Sequence, residues 1–171
     1  MLIEEHLDIE KHFKSVGDFC CGADDPLNIF LSDQSFQYEE NHYGMTYILR
    51  ESDCEDILAY YTLKTSGIQI YDEQLNLYNG MPVIEISRIA VAHDLQQNGF
   101  GKRIFYDYIM PKIYTVMKYV AVKAIMVLVD QDNISGITFY TSLQFSSVDE
   151  GVQKIVDDSF NENCKLYLLI L

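Results

Sequence analysis

The apolar pattern between Val83 and Val129 changes period twice, and this restricts the fold more than any other stretch of the chain. Val83 to Val91 alternates, which puts Val83, Glu85, Ser87, Ile89 and Val91 on one face of a strand. Phe105, Ile109, Ile113, Val116, Met117 and Val120 then recur at helical spacing. Ala124 to Val129 is a continuous apolar run, the mark of a central strand covered on both faces. Strand, helix and strand in this order make an α/β chain. Pro111 falls inside the helical stretch and is expected to kink or break it near Met110, because proline has no amide proton and clashes with the preceding turn.

The flanking segments complete the outline. Residues 6 to 15 and 26 to 38 read as short helices, the second opening with Asp24-Asp25-Pro26 and carrying Leu27, Phe30, Leu31 and Phe36 as a core stripe. Tyr43 to Leu49 alternates and Ile57 to Leu63 is rich in strand formers, so the two are expected to pair as an antiparallel hairpin. Residues 71 to 81 read as a loop. A helix is expected from about Asn133 to Leu143, and Lys165 to Leu171 reads as a closing strand. The architecture is therefore α/β with a mixed sheet: N-terminal helices and a hairpin, then β-α-β-α-β. With 171 residues, 49% of them hydrophobic, and no low-complexity tract, a single domain over residues 1 to 171 is expected.

Charge and side-chain chemistry narrow the function. Twelve basic residues against 26 acidic ones give a net charge of −14, which disfavours nucleic acid over the average surface. Residues 86 to 124 run against that trend, with Arg88, Lys102, Arg103, Lys112, Lys118 and Lys123 facing only Asp94 and Asp107. Such an island fits a small anionic ligand, or equally lysines scattered round a helix. Cys20, Cys21, Cys54 and Cys164 form no C-x-x-C pair and lack histidines at ligand spacing, so neither a metal site nor a disulfide framework is expected. His6, His12, His42 and His93 read as surface or packing residues. No stretch reaches the roughly 18 apolar residues of a membrane helix, and the first residues are acidic where a signal peptide is basic, so a cytoplasmic protein without membrane contact is expected.

The alternating strand runs into Gln96-Gln97-Asn98-Gly99-Phe100-Gly101-Lys102, and this loop opens the long helix. Gly99 and Gly101 lack a Cβ and can take positive φ, so that successive amides converge on an anion at the helix start, with Lys102 adding charge. A tight strand-to-helix turn would use the same glycines. The loop is neither a Walker A sequence nor a G-x-G-x-x-G fingerprint.

Taken together, Ile89-Ala90-Val91, the Q-x-x-G-x-G loop, and Asn133 followed by Gly136, Phe139 and Tyr140 resemble the GNAT acetyltransferase superfamily over about residues 43 to 145. The resemblance implies acetyl-CoA as cofactor. Its pyrophosphate would lie on the amides of Gln96, Gln97, Asn98, Gly99, Phe100, Gly101 and Lys102, its pantetheine along Ile89, Ala90 and Val91, and its thioester beside Asn133, Phe139 and Tyr140. Two departures stand out: Gln144-Phe145 replaces the usual Gly-Phe, and Pro111 interrupts the helix. Phe19-Cys20-Cys21-Gly22, Leu27 to Leu31, Thr46 to Leu49, Tyr60-Tyr61 and Ser87 to Val91 further resemble GNAT-type toxins of toxin-antitoxin modules, which acetylate aminoacyl-tRNA. That subgroup needs a basic surface for tRNA, which a charge of −14 opposes.

Acetyl transfer from a thioester requires a base for the amine and a proton for the thiolate. Tyr140 suits the second task, with core packing beside Gly136, Phe139 and Leu143 as its other reading. Glu85 is the best carboxylate for the first, since GNAT histone acetyltransferases carry a general base there and burial would raise its pKa; an exposed or ion-paired glutamate is the alternative. Ser87 could orient a water or the acceptor, and Arg88, on the opposite face, reads as one half of an ion pair. The acceptor is expected to be a primary amine of a small cationic molecule or a protein, with aminoacyl-tRNA as the alternative. A non-catalytic acyl-CoA-binding regulatory domain is a further reading. A homodimer and an antitoxin partner are both compatible with the sequence.

Overall fold

The computed structural model describes residues 1–22, 25–72, 76–159 and 163–171. Seven strands form one mixed sheet in the order β1-β2-β3-β4-β5-β7-β6. The chain divides into two compact units, Met1–Lys64 with Ile86–Thr115, and Thr65–Glu85 with Val116–Leu171.

In the first unit, β1 (Leu2–His6) pairs antiparallel with β2 (Met45–Glu51), Leu2 opposite Glu51 and His6 opposite Tyr47. The expected hairpin forms: β2 pairs antiparallel with β3 (Ile57–Asp72), Met45 opposite Leu63. β1 is an addition to the sequence reading, because a short edge strand with two apolar residues followed by acids gives little alternation to see. The helix expected from residue 6 begins later, as α1 (Ile9–Asp18), because Asp8 caps it by accepting the Glu10 and Lys11 amides at 2.9 and 3.1 Å. Asp25 likewise caps α2 (Pro26–Ile29), accepting the Leu27 amide at 2.9 Å with Pro26 in the first helical position. A π-turn at Phe30–Gln34 leads into α3 (Ser35–Glu40). Leu27, Phe30, Leu31 and Phe36 do face inward: Phe30 and Leu31 are buried with Phe19, Ile48, Ile57, Tyr60 and Ala90, and Leu27 and Phe36 pack on that cluster.

β4 (Leu77–Val91) passes through both units and is followed, in the first, by α4 (Phe100–Ile104), a π-turn at Phe105–Ile109 and α5 (Met110–Val116). The expected break near Met110 takes this form. Met110 donates its amide five residues back to the Phe105 carbonyl, and the widened turn lies directly before Pro111, the residue with no amide to give. The helix ends at Val116, short of the expected Tyr119-Val120; both of these amides turn back onto the Val116 carbonyl and both side chains are exposed.

In the second unit, β5 (Ala124–Asp130) pairs in parallel with β4 over Val83–Glu85 and antiparallel with β7 (Cys164–Ile170) along its whole length. Ala124 to Val127 are all buried although successive side chains point to opposite faces, which accounts for the continuous apolar run. α6 (Ile134–Ser142) matches the expected helix, and β7 the closing strand. Of the expected loop 71 to 81, residues 71 and 72 belong to β3 and residues 77 to 81 to β4, while residues 73 to 75 lie outside the described residues. Two small elements were not expected: β6 (Ser146–Ser147) on β7, and α7 (Glu150–Ser159), whose Val156 joins Ile68, Met81, Val83, Ala124, Met126 and Leu166 in the core. Among the described residues no helix is long and apolar enough to cross a membrane.

Candidate functional site

The first unit carries the glycine loop. β4 ends at Ile89, Ala90 and Val91; Ala90 is buried in the core, and its two neighbours are half-buried. A 3-10 turn at His93–Leu95 then leads into Gln96. The chain takes left-handed conformations at Gln97 (φ 62°) and at Gly99 (φ 77°), which caps α4. Gly101 lies inside α4, so the second positive φ expected of the glycines falls instead on a glutamine. That conformation costs a residue with a Cβ roughly 1–2 kcal/mol, so the surrounding contacts must hold it.

Gln96 provides such contacts. Its Nε2 donates to the Val91 carbonyl at 2.9 Å and to the Cys21 carbonyl at 2.6 Å, so its side chain braces the loop. Phe100, Gly101 and Lys102 form the first turn of α4, whose amides have no acceptor within the helix. Gln97, Asn98 and Lys102 are exposed, and Arg103 makes an exposed ion pair with Asp107 at 3.4 Å. Ser87 donates to the Thr62 carbonyl at 3.4 Å, while Arg88 lays its guanidinium 4.9 Å from the Phe30 ring centre. A cavity of about 560 Å³ in the same unit is lined by Asp18, Phe19, Cys20, Ile57, His93 and Asp94, among others.

The second unit carries Glu85, Asn133, Phe139 and Tyr140. Glu85 is only 4% exposed and is the last residue of β4 in register with β5, opposite Met126. Asn133 caps α6, its Oδ1 accepting the Gly136 amide at 2.8 Å; this accounts for the Asn-x-x-Gly spacing, since a Cβ on Gly136 would stand 2.8 Å from the Asn133 side chain. Tyr140 is buried, with the Phe139 and Phe145 rings at 5.1 and 5.4 Å. The helix closes as a Schellman motif: Phe145 donates its amide to the Tyr140 carbonyl at 3.1 Å and Gln144 to Thr141 at 3.0 Å, with Gln144 left-handed at φ 70°. The Tyr140–Phe145 ring contact is the apolar clasp of that motif.

The states of two titratable groups in the first unit were not legible in the sequence. Cys21 is buried, and burial together with the nearby Asp25 pushes its thiol up to about 12. Burial also raises the Glu39 carboxyl, against the pull of its ion-pair partner His6. Cys21 stands in Phe19-Cys20-Cys21-Gly22, which says nothing of its burial, and Glu39 stands in no motif.

No family model matches the chain. Similar solved structures span it almost entirely. They include AtaTR bound with acetyl-CoA (25% identity, 99% of this chain and 92% of that one, TM-score 0.72). A mutant of the toxin AtaT bound to the C-terminus of the antitoxin AtaR and acetyl-CoA is 24% identical (98% and 92% covered, TM-score 0.74). AtaT complexed with acetyl-methionyl-tRNAfMet is also 24% identical (99% and 95%, TM-score 0.75). The likeness bears out the fold expected from the motifs, that of the GNAT-type toxins.

Proposed function

We propose that this chain, built on the fold of the GNAT-type toxins, is an acetyl-CoA-dependent N-acetyltransferase. The observation that carries the reading is the loop at the end of β4, where left-handed Gln97 and Gly99 turn the backbone into the unpaired first-turn amides of α4 beside Lys102. Amides so directed, at the positive end of a helix, suit a pyrophosphate. The backbone edge of Ile89, Ala90 and Val91, beyond the last β5-paired residue of β4 and apart from the Val91 carbonyl held by Gln96, would bind pantetheine, and Asn133 and Phe139 would flank the thioester.

In the reaction the amine nitrogen attacks the thioester carbonyl, the C–N bond forms and the C–S bond breaks. Tyr140 supplies the proton that the departing thiolate needs. The amine must be neutral to attack, and Glu85, a buried carboxylate, takes the proton it sheds, directly or through a water. Likeness to AtaT complexed with acetyl-methionyl-tRNAfMet favours an aminoacyl-tRNA acceptor, and likeness to AtaT with the C-terminus of AtaR favours an antitoxin partner. The net charge of −14 favours a small cationic amine or a basic protein.

One assay tests these readings: acetyl-CoA consumption offered aminoacyl-tRNA, polyamines and basic peptides in parallel. The expected result is turnover with at least one amine, lost in Gly101→Val, where bulk in the first turn of α4 should block the cofactor. Turnover confined to aminoacyl-tRNA selects the toxin reading, whereas turnover confined to free amines or peptides selects the cationic acceptor. Silence with every amine, with acetyl-CoA still bound, would make the chain a non-catalytic acyl-CoA-binding domain.

A further inference from the structure

We propose that Gln96 and Asn28 form a positioning relay that sets the shape of the cofactor loop from the N-terminal segment Phe19 to Gly22, an inference that rests on the acetyl-CoA reading above. The loop has two left-handed residues, Gln97 and Gly99, and Gln97 receives no conformational help from its own side chain. What precedes it is anchored. The Gln96 amide head donates to two carbonyls at once, Val91 at the end of β4 and Cys21 in the N-terminal segment, 2.9 and 2.6 Å away. His93 adds a backbone bond to the Cys20 carbonyl at 3.0 Å. The loop is thereby clamped to Cys20 and Cys21, some seventy residues earlier in the chain.

A clamp is only as fixed as the carbonyl it grips, and here Asn28 acts. Its Oδ1 accepts the Cys21 amide at 2.9 Å and the Cys21 thiol at 3.2 Å, while its Nδ2 donates to the Gly22 carbonyl at 2.7 Å. One side chain thus holds both faces of the turn that presents the Cys21 carbonyl to Gln96. Asn28 is itself held at the start of α2, whose Asp25 cap fixes the helix and whose Leu27 carbonyl accepts the hydroxyl of fully buried Tyr60 at 2.8 Å. This gives a physical role to Phe19-Cys-Cys-Gly22 and Leu27-Asn28, which the chemistry of acetyl transfer leaves without one. The side chains of Gln96 and Asn28 need not touch the cofactor; each acts through the backbone that does.

The test measures acetyl-CoA affinity by calorimetry for the wild-type chain, Gln96→Met, Asn28→Ala and the double variant. Hydrogen exchange at the amides of residues 97 to 101 is followed in the ligand-free proteins. Methionine keeps the length and neutrality of glutamine and removes the amide head, and with it both donations to Val91 and Cys21. Each single variant should weaken affinity about tenfold and speed exchange across the loop, and the double variant should be no worse than the poorer single one, the signature of one shared network. Additive losses in the double variant would overturn the relay, as would wild-type affinity in Gln96→Met. If the wild-type chain itself bound no acetyl-CoA, the cofactor reading would fall and this role with it; unchanged affinity in the variants beside a wild type that binds overturns the relay alone. Should Asn28→Ala fail to fold, Gln96→Met and Gln96→Ala carry the test.

Discussion

Single side chains in this protein are held by very different means, and the means decide what each can do. The ring of Tyr140 is clasped by Phe139 and Phe145, so removing its hydroxyl should leave the packing intact. Tyr140→Phe is expected to lower turnover by about 10²-fold, the scale of one positioned acid, with acetyl-CoA affinity and thermal midpoint nearly unchanged. Wild-type turnover in that variant would return Tyr140 to the core. The adjacent cysteines make a second contrast. Cys20 is exposed, whereas Cys21 is buried, donates its thiol to Asn28 and is held near 12 by burial and Asp25. The thiolate is the reacting form, so brief alkylation of the native protein at about pH 8 should label Cys20 and spare Cys21, as peptide mapping by mass spectrometry would reveal.

At the scale of elements, the end of α6 shows a local rule broken and compensated. Position 144 is the left-handed residue of a Schellman motif, where glycine is at ease, and the chain places a glutamine there. Gln144→Gly should therefore raise the unfolding free energy by about 0.5–1 kcal/mol, measured by denaturant titration; a loss of stability would mean that the glutamine side chain has contacts worth more than the strain. The departure from Gly-Phe was visible in the sequence, but its backbone conformation was not.

Elements with strong periodicity or both strand neighbours, such as β5, α6 and β7, were legible for the same reason that they are stable: burial imposes a pattern. β1, β6 and α7 were not, since an edge strand, a two-residue strand and a helix with few apolar residues leave little pattern to read. In the loop the glycine spacing located the turn, yet not which residues take positive φ, because a clamp from Cys21 and Val91 shifts that burden to Gln97. Side chains that grip distant carbonyls, as Gln96 and Asn28 do, leave no periodic trace at all.

For the molecule as a whole, acid tolerance depends on a network at the start of the chain. Glu5 accepts Arg50 Nε at 2.7 Å and Nη2 at 3.1 Å and pairs with Lys11 and His12, which joins β1, β2 and α1. The Arg50 and Lys11 hydrogen bonds outweigh desolvation and lower its pKa from 4.5 to about 2. A carboxyl depressed in the folded state stabilises above its unfolded pKa and loses that contribution as pH falls through the folded one. Between about pH 5 and pH 2 the wild-type chain should lose about 1–2 kcal/mol through this group, after allowance for solvent screening. Denaturant titrations across that range should show a shallower decline in Glu5→Gln; parallel curves would remove Glu5 from the account.

Because β3 and β4 each begin in one compact unit and finish in the other, neither unit is a single stretch of chain. No one cut can separate them into two complete pieces: a split after Thr115 leaves the first unit whole but takes Thr65–Glu85 away from the rest of the second, and an earlier split breaks the first. The order of synthesis carries the same consequence. The first unit draws on residues as far as Thr115, and the second closes on β7, at Cys164–Ile170. A nascent chain that has reached residue 115 therefore already holds the loop and its clamp, while Tyr140 and the strand that completes its sheet are still unmade.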